Sequence, residues 1–239
     1  MSRLLVLPVG MSGASSRDFD GIDDWIQAGT SDDLNLSGLW TLETWILLKS
    51  LPPLVYFIFG RDAVGARSYC FGFDAVGAMY YENNNGFAGR IGGIAAVGTR
   101  PPIGTWTYIS FGYDGTQIRS RCTSAPSANS ICAAASSVVS NTNIGRRAYV
   151  GNERYIPAYL WCMRVWKGRY TSDAEFAKHA RGEHPDTANM VRWWPLEDTD
   201  AAWARELVTG VPCAVTGASI DPNVPFRPRL AAPARVAVP

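Results

Sequence analysis

The sequence predicts an all-β fold of antiparallel strands, with one short helix and an extended arm at each end. Three observations predict it. Nine Trp, ten Tyr and nine Phe stand with 23 Gly and 15 Pro in 239 residues, which describes strands broken by turns rather than long helices. The stretch Trp106–Cys122 (WTYISFGY-DG-TQIRSRC) reads as a β-hairpin, because Asp114-Gly115 suits a turn with φ > 0 between two β-favouring runs. Asp62-Ala-Val-Gly-Ala66 returns as Asp74-Ala-Val-Gly-Ala78, so the same turn chemistry is used twice at strand-plus-turn spacing.

Taken in order, residues 1–16 form an arm with an apolar Leu4–Val9 segment. A turn at Asp20–Asp24 leads to a strand near Trp25. Leu39–Leu48 carries large apolar side chains on both faces, as a central, doubly covered strand does. Val55–Gly60, Ser68–Phe73 and Ala78–Tyr81 form a meander, followed by Phe87–Val97. In the hairpin, a two-residue loop pairs Phe111 with Ile118, and a four-residue loop shifts partners by two without exchanging faces. One face (Ile109, Phe111, Tyr113, Ile118) is apolar. The other (Tyr108, Ser110, Arg119, Arg121) is polar and basic.

Residues 123–143 read as a Ser/Ala/Asn-rich loop with a weak strand at Ser137–Val139. Asn143–Gly151 and Tyr159–Lys167 read as strands. Thr171–Gly182 is the helix: Ser172 and Glu175 form a capping box, Ala174, Phe176, Ala177 and Ala180 supply its buried side, and Gly182 closes it. Met190–Leu196 and Val211–Ile220 are the last strands. From Asp221 the chain is Pro- and Arg-rich and reads as an extended arm, so the division is 1–16, 17–220 and 221–239.

A net charge of +1 with no basic stripe speaks against nucleic acid as the main ligand. The apolar run near the start is too short for a signal-peptide core or a membrane span, which predicts assembly in a cytoplasm without membrane insertion. Five cysteines, an odd number with no CxxC, predict buried free thiols; Cys122 and Cys132, either side of a loop, are the pair to test for a bridge.

Several stretches resemble the concanavalin A-like lectin/glucanase superfamily, and within it the laminin-G/pentraxin-like branch. Phe19-Asp-Gly-Ile-Asp-Asp-Trp-Ile26 resembles its FDGxDDYV strand entry, and Leu42-Glu-Thr-Trp-Ile46 its TLEAWV. Gly104–Gly115 resembles GxWxxVAxxYDG. Tyr149–Asn152 with Ala158–Trp166 resembles the IG…FxGxIDEVRIW pair, and Ser172–Phe176 the SxEEI helix. Cys162 and Met163 depart from it, standing where the family has acids. The resemblance covers residues 17–220 and implies an antiparallel two-sheet jelly-roll sandwich. It leaves open lectins, glycosidases and adhesive modules.

Catalysis in that superfamily implies carboxylates alternating along one strand, as in ExDxE. The sequence has no such run: Glu43 stands alone, and Glu197-Asp198-Thr-Asp200 falls in a loop. The protein is therefore expected not to be an enzyme, and no cofactor motif is present. Oxygen ligands for Ca²⁺ are available at Asp20, Asp23, Asp24, Asp32 and Asp33, although Asp caps turns for its own reasons. Sugar binding would draw on Trp40, Tyr80, Tyr81 and Trp193 with Asn84, residues that could equally be core packing. His179 and His184 have no partner in ligand spacing and are expected in solvent. The first expectation is a structural jelly-roll subunit of a larger assembly, a homo-oligomer or a bacteriophage virion protein bound to capsid or tail proteins. Its contacts would be Leu4, Leu5, Val6, Leu7, Phe226, Arg227, Arg229 and Arg235 in the arms, and Tyr108, Arg119 and Arg121 on the hairpin. A carbohydrate-binding module is the alternative.

Overall fold

A computed structural model describes residues 15–51, 54–63, 66–83, 88–90, 100–132, 135, 140–147 and 153–225. In chain order its strands are β1 (Ser16–Asp20), β2 (Trp25–Gly29), β3 (Trp40–Leu48), β4 (Tyr56–Ala63), β5 (Ala66–Phe73), β6 (Met79–Asn83), β7 (Ala88–Arg90), β8 (Thr107–Tyr113) and β9 (Gln117–Cys122). There follow β10 (Ala125–Ile131), β11 (Thr142–Ile144), β12 (Arg146–Arg147), β13 (Arg154–Tyr155) and β14 (Pro157–Lys167). After helix α1 (Asp173–Ala180) come β15 (Met190–Trp194), β16 (Trp203–Ala204), β17 (Cys213–Thr216) and β18 (Ser219–Asp221).

The first sheet runs β10-β9-β8-β3-β14-β1-β18, with β15 also on β14. The second runs β16-β17-β2-β11-β4-β5-β6-β7. Every pairing between these strands is antiparallel, which makes the two-sheet jelly-roll sandwich. Strand β14 spends one edge on two neighbours: β1 takes residues 157–160 and β15 takes 163–166. Between them Cys162 adopts φ +55 in a bulge, and its N–H bonds Pro195 O at 2.8 Å.

Between the sheets lies an aromatic core. Phe71 sits 4.8 Å from Trp40, 5.1 Å from Tyr81 and 5.4 Å from Phe111, ring to ring. Truncating such a ring costs about 3–5 kcal/mol. A second cluster covers the outer face of the first sheet. Trp45, Tyr108, Trp161, Trp166 and Trp193 pack there under Phe176 and Ala180 of α1 and under Leu207, Val208 and Val224.

The hairpin keeps its expected faces with the four-residue loop: Tyr113 pairs with Ile118 and Phe111 with Ser120, while Asp114 Oδ1 accepts the Thr116 and Gln117 N–H groups. The capping box is present, but α1 corrects the expected buried side. Ala174 and Ala177 are exposed, whereas His179, expected in solvent, is the buried residue of the helix. Residues 125–131, expected as loop, form the edge strand β10. Strand β16 was not expected, and the weak strand at Ser137–Val139 lies outside the described residues. All five cysteines are free and buried, so Cys122 and Cys132 are not bridged. No helix among the described residues is long and apolar enough to cross a membrane.

Candidate functional site

Both outer faces of the sandwich carry polar groups, and they differ in how closed they are. Beneath α1, Glu43 of β3 is fully buried and accepts hydrogen bonds from Tyr108 Oη (2.6 Å) and Thr171 Oγ1 (3.1 Å), with His179 Nδ1 2.7 Å away. Arg164 donates to Tyr108 Oη at 2.6 Å. Burial pushes the Glu43 carboxyl up, but the His179 bond and the Arg164 charge outweigh it and hold the group below its usual range. Arg121 lies under the helix too, bonded to Asp173 (2.7 Å), Tyr170 Oη and Thr171 O. Arg119 reaches Asp173 at 3.0 Å and Ser127 Oγ at 2.9 Å. The polar hairpin face is therefore where the helix docks. Tyr108 and Arg121, expected to meet a partner, are buried in making that contact.

The expected glycan residues separate as well. Trp40, Tyr81 and Trp193 are buried, which corrects their reading as a sugar-binding surface: strand Trp and Tyr here fill the core or sit under loops. Tyr80 is half-buried on the outer face of the second sheet, edge-on to Phe57. Asn84 lies outside the described residues, as do Leu4, Leu5, Val6, Leu7, Phe226, Arg227, Arg229 and Arg235.

The second sheet's outer face holds the more open arrangement, built by strict alternation. In β2, Ile26 and Ala28 enter the core, so Trp25 and Gln27 point outward. In β11, Ile144 enters the core, so Asn143 points outward beside its register partner Gln27. Asn143 is paired across to Gly60, Gly60 to Cys70 and Cys70 to Glu82. On the other side, Val215 and Thr216 pair with Ile26 and Trp25, which sets Ala214 against Gln27, and Ala214 pairs with Trp203. One register line thus runs Trp203–Ala214–Gln27–Asn143–Gly60–Cys70–Glu82 across seven strands.

Its two halves differ. Past Asn143, Gly145 (φ +88) turns the chain so that β12 folds back over β4, and Arg146 O would lie 3.7 Å from a side chain at Gly60. Arg147 of β12 donates to Asp62 at 2.8 Å and lies 3.5 Å from Glu82, so one guanidinium ties down both carboxylates of this half. Toward β16 the face opens. Gln27 is half-exposed, Ala214 is exposed, and Trp203, 49% exposed, is the one exposed large aromatic among the described residues. At the junction, Asn143 is fully buried with neither Nδ2 nor Oδ1 in a hydrogen bond. Beside it the Arg146 guanidinium lies 3.5 Å over the Trp25 ring.

Trp203 stands on a braced backbone. Arg17, fully buried, donates to Trp203 O at 2.7 Å and to Asp200, Ala201 and Ala218 carbonyls, and lies 3.6 Å from Asp198. Nearby Glu197 is raised to about 7 by burial, opposed by the neighbouring Trp161 indole and by Arg205. Sequence reading missed Trp203, Gln27 and Asn143. The alternation of Trp-Ile-Gln-Ala at 25–28 was an available signal; for Trp203, in a two-residue strand, there was none.

The acids proposed for Ca²⁺ divide. Asp33 pairs with Arg192, and Asp32 lies in the same short 3-10 turn. Carboxylate oxygens of Asp20, Asp23 and Asp24 do gather within 4.8 Å of one another. Yet Asp24 Oδ2 accepts the Asp20 N–H (2.7 Å), its Oδ1 packs against Gly217, and Asp20 Oδ1 accepts the Ile22 N–H (2.7 Å). Asp24 is raised by burial and its acidic neighbours. These oxygens brace a turn.

No protein-family model and no curated protein matches the chain. Solved structures match it in fold. A candidate carbohydrate-binding protein from Bacteroides ovatus superposes with a TM-score of 0.68 at 14% identity, over 87% of this chain and 60% of that one. The heptameric SAP-like pentraxin from Limulus polyphemus superposes with a TM-score of 0.58 at 11% identity, over 87% of this chain and 94% of that one. This chain thus spans 60% of the length of the first. At these identities the likeness is one of fold, the antiparallel two-sheet jelly-roll sandwich.

Proposed function

We propose that this chain is a non-catalytic carbohydrate-binding module whose ligand lies on the outer face of the second sheet. The Asn143 amide carries the reading: it is buried with both polar atoms unpaired, a state that costs about 1–3 kcal/mol per group unless something satisfies it. A side-chain amide sets a donating NH2 beside an accepting oxygen, which suits a pair of adjacent sugar hydroxyls. Half-exposed Gln27 and Trp25 flank it. Asp62 and Glu82, the carboxylates of the covered half, are both ion-paired to Arg147, so neither is poised as a general acid. The fold shared with a candidate carbohydrate-binding protein supports the same reading. A virion subunit draws on arms that lie mostly outside the described residues, and none of the comparisons points to a phage; for assembly as such, the similar pentraxin is a heptamer.

The test is a glycan array followed by titration calorimetry on wild type and Asn143→Leu. Wild type is expected to bind, and the variant to lose binding by tenfold or more. The variant's melting temperature should be equal or higher, because an apolar isostere removes two unpaired groups. Absence of binding by wild type, or equal binding by both, overturns the proposal.

A further inference from the structure

The register line that crosses the second sheet extends beyond a single sugar subsite. Neighbouring strands lie about 4.8 Å apart, so the three steps from Trp203 through Ala214 and Gln27 to Asn143 span about 14 Å. That spacing matches one unit of an extended glycan per strand. The open half of the line is chemically graded. At its outer end stands the half-exposed indole of Trp203, an apolar plate held by Arg17. Ala214 leaves the next position low. Gln27 donates to Asn141 Oδ1 at 3.4 Å and keeps its own carbonyl oxygen available. Asn143 closes the row with its unpaired amide. None of the four carries a charge. Past Asn143 the path is shut, because β12 crosses over Gly60.

We infer that the site takes the end of a neutral oligosaccharide of about three units, the terminal unit on Asn143 and Gln27 and the chain leaving over Trp203. A blind end and an open end make the site directional. The apolar face of a pyranose packs on the indole as another flat ring does, and its hydroxyl edge reaches the amides. An acidic sugar finds no charged partner among these four side chains, and the Arg146 guanidinium beside Asn143 is engaged by the Trp25 ring. This inference rests on the carbohydrate-binding reading and adds length, direction and charge class to it.

The experiment titrates wild type, Trp203→Ala and Gln27→Ala with gluco-, xylo-, manno- and N-acetylchito-oligosaccharides of one to six units, and with sialyllactose. For the series that binds, affinity should rise with each unit up to about three and then level. Trp203→Ala should cost about tenfold with the trimer and nothing with the monosaccharide. Gln27→Ala should weaken every length alike. Capping one terminus of the trimer with a methyl group should abolish binding, and capping the other should be neutral. If the monosaccharide binds as tightly as the trimer, if Trp203→Ala is neutral at every length, or if sialyllactose binds best, the inference fails while the carbohydrate-binding reading stands. If wild type binds none of these sugars and none on the array, both fall.

Discussion

The Nδ1 of His179 lies 2.7 Å from Oε2 of Glu43, joining the one buried residue of the helix to the centre of the first sheet. Both side chains are almost fully removed from water. The remaining oxygens and rings are also occupied: Thr171 and Tyr108 donate to Glu43, and Trp166 stacks parallel to the imidazole at 5.7 Å. Removing one partner strands the other. His179→Ala is expected to destabilise the fold by about 3–5 kcal/mol in urea unfolding. A loss below 1 kcal/mol would show that the helix is held by Phe176 and Ala180 alone.

Acid should loosen the same helix. Glu43, Asp173 and Glu175 are all held below their ordinary values despite some burial: His179 and Arg164 act on the first, Arg121 and Arg119 on the second, and the Ser172 N–H and Arg169 on the third. A depressed carboxyl contributes stability above its unfolded value, lost as pH falls through the folded one. The stability that these three carboxyls contribute should therefore stay level from neutral pH down to about 4.5 and decline below. Hydrogen exchange at 173–180, followed from pH 6 to pH 3, measures it.

Glu197 works in the opposite sense. Its value is raised to about 7 by burial, so ionising it costs the folded state more than the unfolded, and that cost is complete above pH 7. Glu197→Gln should stabilise the protein at pH 8 by about 1 kcal/mol after screening and leave it unchanged at pH 4. A gain of equal size at both pH values would rule out ionisation as the cause.

Arg17→Met keeps much of the volume and removes the donors that hold the carbonyls of residues 200, 201, 203 and 218. It should cost about 3 kcal/mol or more, and hydrogen exchange should quicken at 198–218 before the rest of the sandwich. Uniform exchange across both sheets would instead make Arg17 a general core residue.

Gly145→Ala meets two obstacles. The residue has φ +88, and an added Cβ would lie 2.4 Å from the Phe19 ring. A loss of about 2–4 kcal/mol is expected. The Trp25 fluorescence environment should change as well, since Arg146 leaves its stacked position when the turn opens.

Much of the fold was legible in the chain, and the reasons are physical. The hairpin faces follow from alternation, which survives a change of loop length. Helix α1 was marked by Ser172 and Glu175, a local pair that needs no tertiary information. Strand β10 was hidden because Ala, Pro, Ser and Asn at an edge carry no apolar period. The site was harder. Trp40 and Trp203 are the same residue type, and only the sheet order decides that one is core and the other exposed. Gly60, Cys70 and Ala214 line the face because they are small, and smallness leaves no periodic trace. His179 looks solvated in the sequence because its partner, Glu43, lies 136 residues away along the chain.

Strand β1 carries a temporal consequence. It lies between β14 and β18, with Arg17 paired to Leu160 on one side and Ile220 on the other. The first described strand thus has no sheet neighbour until two of the last strands exist. During synthesis it must wait exposed while β3 to β13 are made, and in refolding it is expected to join late, since the strand pairings that close on it include the most distant in sequence among the described residues. The first sheet is completed where its first and last described strands meet.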